Sequence, residues 1–162
     1  MIVEAENSSH HAAIRRILTE AFPSLAEANL VEQLRLDGST RIALVATQES
    51  RIVGHVMFSE MRAPFRALGL APVAVAADRR GRGIAAALIS AGLERAKAGA
   101  WEAIFVLGDP AYYQRFGFRV DAASAFVSPF AGPHFMVLAL TAAGLPVRSG
   151  RIDYAPAFSS LG

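Results

Sequence analysis

Arg80-Gly81-Arg82-Gly83 sits between an apolar, strand-like run, Val73-Ala74-Val75-Ala76-Ala77, and a helix-forming stretch that begins Ile84-Ala85-Ala86-Ala87-Leu88. Those residue types at that spacing suit the holding of an anion. Glycines at 81 and 83 let the backbone approach a ligand closely, and the helix start adds free N–H groups and the positive end of a dipole. Arg80 and Arg82 add guanidinium groups that pair with phosphate through charge-assisted hydrogen bonds. Farther along, Gly108-Asp109-Pro110-Ala111-Tyr112-Tyr113 brings a carboxylate and two phenols just after the next apolar run. A phenol with a pKa of about 10 is protonated at neutral pH and can donate to a leaving group. Asp109-Pro110 also reads as plain turn chemistry. Glu27, His55 and Glu60 could each take a proton from a nucleophile, although a solvated or structural role is the commoner meaning of such residues.

The elements that must position these groups follow from periodicity. Asn7-Ser8-Ser9 supplies N-cap chemistry for a helix with Ile14, Ile17, Leu18 and Ala21 on one face, ending before Pro23. A second helix spans Glu27 to Leu36, with Leu30, Val31 and Leu34 apolar, and Asp37-Gly38-Ser39 closes it. Arg41–Thr47 and Ile52–Phe58 read as an antiparallel hairpin through Gln48-Glu49-Ser50. Leu68–Ala77 reads as a buried strand in which Gly69 and Pro72 mark a strand start or a bulge. Gly83–Ala98 is helical and stops at Gly99; Trp101–Leu107 is the next strand, so strand, helix and strand form a parallel crossover unit with its ligand site at the carboxyl ends. A short helix over Tyr112–Arg115 and strands at Phe118–Val120 and Phe135–Leu140 complete the set, and the segment from Gly144 to Gly162 is expected to pack along the domain through Ile152, Tyr154 and Phe158.

Composition narrows the setting. The 162 residues, 53% of them hydrophobic, suit a single domain over 1–162 of α/β or α+β class. A formal charge of +2 with a pI near 9.5 shows no basic stripe of the kind that binds nucleic acid. The absence of cysteine removes disulfides, thiolate metal sites and a cysteine nucleophile, and makes a reducing cytoplasm the simplest location. His10 and His11 are adjacent while His55 and His134 stand alone, without metal-ligand spacing, so no metal is expected. No apolar run is long enough to span a bilayer, and no membrane partner is expected.

Arg80-Gly81-Arg82-Gly83-Ile84-Ala85 resembles the Q/R-x-x-G-x-G/A turn of the GCN5-related N-acetyltransferase (GNAT) family, and Tyr113-Gln114-Arg115-Phe116-Gly117-Phe118 resembles that family's Tyr-x-x-x-Gly-Phe segment. The string Phe105 to Tyr113 is most similar to a bacterial subgroup of N-acetyltransferases, and the similarity runs from about Arg41 to Phe118. The resemblance implies a GNAT fold, a mixed and mostly antiparallel twisted sheet flanked by helices. It also implies acetyl-CoA as donor, with pyrophosphate on the N–H groups of Arg80, Gly81, Arg82, Gly83, Ile84 and Ala85 and the pantetheine arm beside Val73 to Val75. A backbone N–H near Val75 would polarise the thioester carbonyl, and Tyr113 would protonate the departing sulfur. One departure is Gly108-Asp109-Pro110, where many members carry an asparagine that holds the arm, so backbone groups would take that part. Phe22, Phe65 and Phe130 could wall an acceptor pocket.

The expected activity is acetyl transfer from acetyl-CoA to a primary amine by direct attack in a ternary complex, since an acyl-cysteine route has no cysteine to use. The identity of the amine is not encoded in the motifs. A homodimer through an apolar strand edge or the C-terminal segment remains open. Two rivals stand beside this reading: a non-catalytic CoA-binding regulatory module, and a dinucleotide-dependent oxidoreductase, because Gly81 to Ala86 also satisfies G-x-G-x-x-A.

Overall fold

The computed structural model describes residues 1–161. In chain order it runs β1 (Ile2–Ala5), α1 (His11–Ala21), α2 (Ala26–Leu36), β2 (Thr40–Gln48), β3 (Arg51–Glu60), β4 (Ala67–Val75), α3 (Ile84–Ala98), β5 (Ala103–Leu107), α4 (Pro110–Tyr113), α5 (Val120–Ala123), β6 (Phe126–Val127), β7 (Phe135–Ala139) and β8 (Gly150–Arg151), with short 3₁₀ turns between. Six strands make one sheet in the order β1-β2-β3-β4-β5-β7, and β6 and β8 form a small parallel pair. Every neighbour in the large sheet is antiparallel except β4 and β5, which run parallel on either side of the α3 crossover.

Strand alternation sends alternate residues to two layers. Leu44, Ala46, Val56, Phe58, Leu68 and Leu70 point to the face covered by α3 through Ile84, Leu88 and Ile89. Val45, Met57 and Ala74 point to the other face, where α1 brings Ile14, Ile17 and Leu18, α2 brings Ala28, Leu30, Val31 and Leu34, and the chain near Phe158 joins them. A third cluster around Phe105, Phe126, Phe135 and Ile152 closes the β5–β7 end. The β2–β3 hairpin turns at Glu49 and Ser50 with φ of 51° and 63°. Two consecutive left-handed residues give the turn whose twist matches that of the flanking strands.

Two features differ from the sequence expectations. Among the described residues there is no strand at Phe118–Val120: Arg119 makes one isolated bridge with Val137, and Val120 opens α5. The Asp121 carboxylate pairs with Arg119 at 2.5 Å and accepts from the Ala122 N–H at 2.9 Å, local bonding that favours a helical turn over a ladder. Gly69 lies in regular register with Ser59 and Phe105 and marks no bulge; a Cβ there would come 2.5 Å from Tyr154, whose ring lies on the strand backbone.

At the point where β4 and β5 begin, Arg66 stacks on Trp101, its guanidinium carbon 4.1 Å from the ring centroid, and donates to Gly99 and Ala100 carbonyls at 3.2 Å. Cation–π contact and C-terminal helix capping thus tie the end of α3 to both strands.

A buried polar cluster fixes α2 to the sheet. Glu6, 10% exposed at its side chain, receives Arg35 Nε at 2.8 Å, lies 2.7 Å from His55 Nε2 and 3.2 Å from His11 Nε2. Burial alone would raise the Glu6 carboxyl, but the hydrogen bonds from His55 and Arg35 and their charges hold it down at about 2. Burial lowers His55, outweighing Glu6, so the ring is neutral at pH 7 and donates through Nε2–H. Arg35 is then the cationic partner. Both folded-state values lie below their unfolded ones, so the stabilisation is present above pH 6.5 and is lost first from His55 and then, between pH 4.5 and about 2, from Glu6. Glu6→Gln is expected to lower stability by about 2–3 kcal/mol at pH 7, read by urea unfolding, with variant and wild type converging as the pH falls below 4.5. A pH-independent difference would assign the effect to packing.

Candidate functional site

The parallel ladder between β4 and β5 holds for Ala67–Ala103, Leu68–Ile104 and Gly69–Phe105 and then stops. On the opposite edge β4 stays paired with β3 as far as Val75–Gly54, but Val56–Val73 and Phe58–Leu70 leave three β4 steps against two on β3. The extra residue lies at Ala71-Pro72 and reverses the alternation. Leu68 and Leu70 face α3 before it; Val73 and Val75 pack toward α3 after it. The Ala76 N–H donates to the Val53 carbonyl at 2.8 Å, so by alternation the backbone groups of Val73 and Val75 turn the other way, into the gap left by β5.

On the α3 side of this gap a cavity of about 460 Å³ is lined by Val75, Arg79, Arg80, the turn Gly81 and Gly83 to Ala86, Tyr112 and Arg115. Gly81 and Gly83 have φ of 75° and 79°, backbone that side chains disfavour. Gly83 caps α3 with no side-chain hydrogen bond, and the first intrahelical bond of this turn is Ala87 N–H to Gly83 O at 3.0 Å. The N–H groups of Ile84 to Ala86 are therefore the free donors of the helix start. Asp78, the one acid of this turn, is held by Arg51 at 2.8 and 2.9 Å and by Arg79 at 2.9 Å; the Arg51 bond first, then the charges of both arginines, keep its carboxyl at about 2. Arg80 has no salt bridge among the described residues.

On the α1–α2 side a second cavity, of about 350 Å³, is lined by Leu70 to Val73 of β4, Leu107 of β5 and Tyr113. Phe22, Glu27 and Leu30 close it from the helices, and Phe130, Tyr154, Phe158 and Leu161 from the later chain. Burial, with a smaller push from Tyr112, raises the Tyr113 phenol to about 12. Burial also raises the Tyr154 phenol. Both groups are neutral at physiological pH. Glu27 Oε1 is shielded from solvent with no hydrogen-bond partner among the described residues.

The residues expected from the sequence divide between the two cavities. Val75, Arg80, Gly81, Gly83, Ile84 and Ala85 line the first, and Val73 and Tyr113 the second. Arg82 lines a separate surface depression with Met1, Gln48, Glu49 and Arg79, because the left-handed residues on either side of it turn it away from its neighbours. Asp109 serves as the N-cap of α4, accepting from Ala111 N–H at 3.0 Å. Of the three proton-acceptor candidates, Glu60 is bound to Arg41 at 2.6 Å and His55 to Glu6, and neither lines either cavity; Glu27 does. Phe22 and Phe130 are walls, whereas Phe65 packs against Phe105 and Phe126 in the third cluster. Sequence reasoning missed Arg79, Arg115 and Tyr154. The first two are ordinary surface letters, and Arg115 is held there by stacking on Tyr112 at 4.2 Å and by donating from Nε to the Tyr112 carbonyl at 2.8 Å.

Comparison with known proteins identifies the family and the fold. Residues 39–120 match the family model described as an acetyltransferase (GNAT) domain. The uncharacterized N-acetyltransferase YhbS of Escherichia coli K12 is 39% identical over 126 residues, 75% of each chain. A crystal structure of E. coli YhbS in complex with CoA superposes with a TM-score of 0.93 at 33% identity, over 99% of this chain and 93% of that one. A GNAT family acetyltransferase from Brucella melitensis in complex with acetyl-CoA gives 0.82 at 28% identity, over 97% of both chains.

Gly108 has a local reason to be glycine. A Cβ there would lie 2.5 Å from Cε2 of Tyr113, so the ring sits directly on that backbone. Gly108→Ala is expected to displace the ring and cost about 1–3 kcal/mol in urea unfolding. An unchanged midpoint would mean that the ring yields freely.

Proposed function

The chain belongs to the GNAT acetyltransferase family, and from that premise we propose that it moves an acetyl group from acetyl-CoA to a primary amine by direct attack in a ternary complex. The observation that carries this reading is the open edge of β4: Val73 lines one cavity and Val75 the other, so an extended ligand lying along that edge would have one end in each. The likeness to proteins whose structures contain CoA and acetyl-CoA supports the donor. A dinucleotide oxidoreductase has no support from that family, and the glycines of the turn are accounted for by their positive φ.

The residues fit the donor on their own chemistry. The free N–H groups of Ile84 to Ala86, the positive end of the fifteen-residue α3 and the Arg80 guanidinium converge where a pyrophosphate would lie. Arg51 and Arg79 neutralise Asp78, which would otherwise repel it. Val73 and Val75 offer N–H and C=O groups to an amide-bearing arm, in the manner of an added strand. Acetyl-CoA supplies an acetyl thioester when bound. The Val75 N–H is the donor proposed for the thioester oxygen as charge develops there.

Tyr113 is proposed to face the sulfur. A phenol raised to about 12 is fully protonated at neutral pH and so can donate. Complete transfer to a thiolate of ordinary pKa, about 8.5, is uphill, so the main contribution of Tyr113 is a hydrogen bond that strengthens as the C–S bond breaks. In the net reaction a C–N bond forms, the C–S bond breaks, and the ammonium loses two protons, one to sulfur and one to solvent.

Thermal unfolding with acetyl-CoA, CoA, NAD and NADP in parallel tests the donor. A rise with the CoA forms alone is expected, about 2.7 kcal/mol at a hundred times Kd. Tyr113→Phe is expected to leave acetyl-CoA affinity within about twofold and to lower kcat roughly 100-fold. An unchanged kcat in pre-steady-state acetyl transfer would remove Tyr113 from the chemistry, and a CoA-bound protein that acetylates no amine would favour the regulatory-module alternative.

A further inference from the structure

The cavity on the α1–α2 side has a composition that selects among amines. Among the described residues Glu27 is the only charged side chain lining it; the other described lining residues are apolar or aromatic. Glu27 stands in the first turn of α2, beyond the cap residue Leu25, with Oε1 shielded and unbonded. An unpaired buried carboxylate oxygen is costly unless something cationic or protic completes it. The same cavity is lined by the rings of Phe22, Tyr154 and Phe158, the latter two with centroids 4.8 Å apart, and by Phe130, edge-on to Tyr154 at 5.2 Å. Aromatic faces attract an ammonium as well as apolar carbon. The volume of about 350 Å³ is at the small end of the roughly 300–1,000 Å³ range of small-molecule pockets.

We infer that this cavity is the acceptor site and that its acceptor is a small primary amine with a single positive charge on an aromatic or similarly apolar body, its ammonium held by Glu27. This inference rests on the transfer reading above and adds the class of acceptor to it. A second ammonium, as in a polyamine or an aminoglycoside, would be buried against rings without a counter-ion. A carboxylate on the acceptor, as in a free amino acid, would meet Glu27 and no cationic group among the described lining residues. A carboxylate in contact with the ammonium, in a cavity from which the bound donor and acceptor exclude water, is placed to accept a proton from it. Glu27 would then take the first of the two protons the nitrogen must lose. The amine lone pair, freed in this way, forms the C–N bond.

The test is equilibrium binding of 2-phenylethylamine to the CoA-loaded protein by calorimetry, with acetyl transfer from acetyl-CoA followed separately. Expected are saturable binding of 2-phenylethylamine, at least tenfold weaker binding of phenylalanine, spermidine and a lysine-containing peptide, and at least tenfold weaker binding of 2-phenylethylamine to Glu27→Gln. Glu32→Gln, on the exposed side of the same helix, is expected to bind as wild type. No binding of 2-phenylethylamine, equal binding of phenylalanine or spermidine, or preference for the lysine peptide overturns the inference. The comparison among probes on the wild-type protein needs no variant to fold. Selective binding without acetyl transfer would sustain the recognition and overturn the transfer reading; transfer to spermidine or peptide instead would do the reverse.

Discussion

Parallel strands that stop pairing leave backbone N–H and C=O groups without partners, and the whole site is organised around that debt. β4 and β5 are bonded for three residues and then part. At the closed end Arg66, Trp101 and the last turn of α3 hold the two strands together. At the open end nothing from β5 reaches Val73 and Val75, and the bulge at Ala71-Pro72 sets which of their groups face the gap. A ligand with its own amide groups can complete such an edge, which is why the fold holds a cleft in the middle of a sheet instead of at its rim.

The two sides of the gap have opposite electrostatic character. On the α3 side the free N–H groups, Arg80 and Arg115 face the cavity, and Asp78 is already bound to two arginines. On the α1–α2 side the one charged side chain among the described residues is Glu27. The adjacent tyrosines follow the same division, Tyr112 toward the first cavity and Tyr113 toward the second. A molecule anionic at one end and an acceptor cationic at its reactive atom would be sorted by charge before they met. The Glu6–Arg35–His55 cluster enters this arrangement indirectly, since it anchors the last turn of the helix whose first turn carries Glu27.

Much of this was legible in the sequence. Periodicity located the helices and strands from Ile14 to Leu107, because in each the local pattern and the burial demanded by the sheet agree. The Arg-Gly turn announced itself because glycines at positive φ and free N–H groups are local properties. What depended on distant chain segments was not legible. Arg82 carries the same letter as Arg80 but faces the hairpin, a matter of backbone direction within the turn. Gly69 read as a strand start or bulge and Gly108 as part of a departure from the family's asparagine, and each is a seat for a tyrosine ring, Tyr154 and Tyr113. Glu27, Glu60 and His55 were equivalent as candidates and are separated by the fold: Glu60 is bound to an arginine and His55 to a carboxylate, while Glu27 lines a cavity with Oε1 unpartnered among the described residues.

The same layout distributes the chromophores unevenly. The single tryptophan of the chain, Trp101, is 8% exposed and sits under Arg66 at the joint where β4 and β5 begin to pair. The three tyrosines, 112, 113 and 154, all stand on cavity walls at the open end. Indole emission therefore watches the hinge of the fork, and tyrosine absorbance watches its mouth, two optical windows on one molecule that need no label to be told apart.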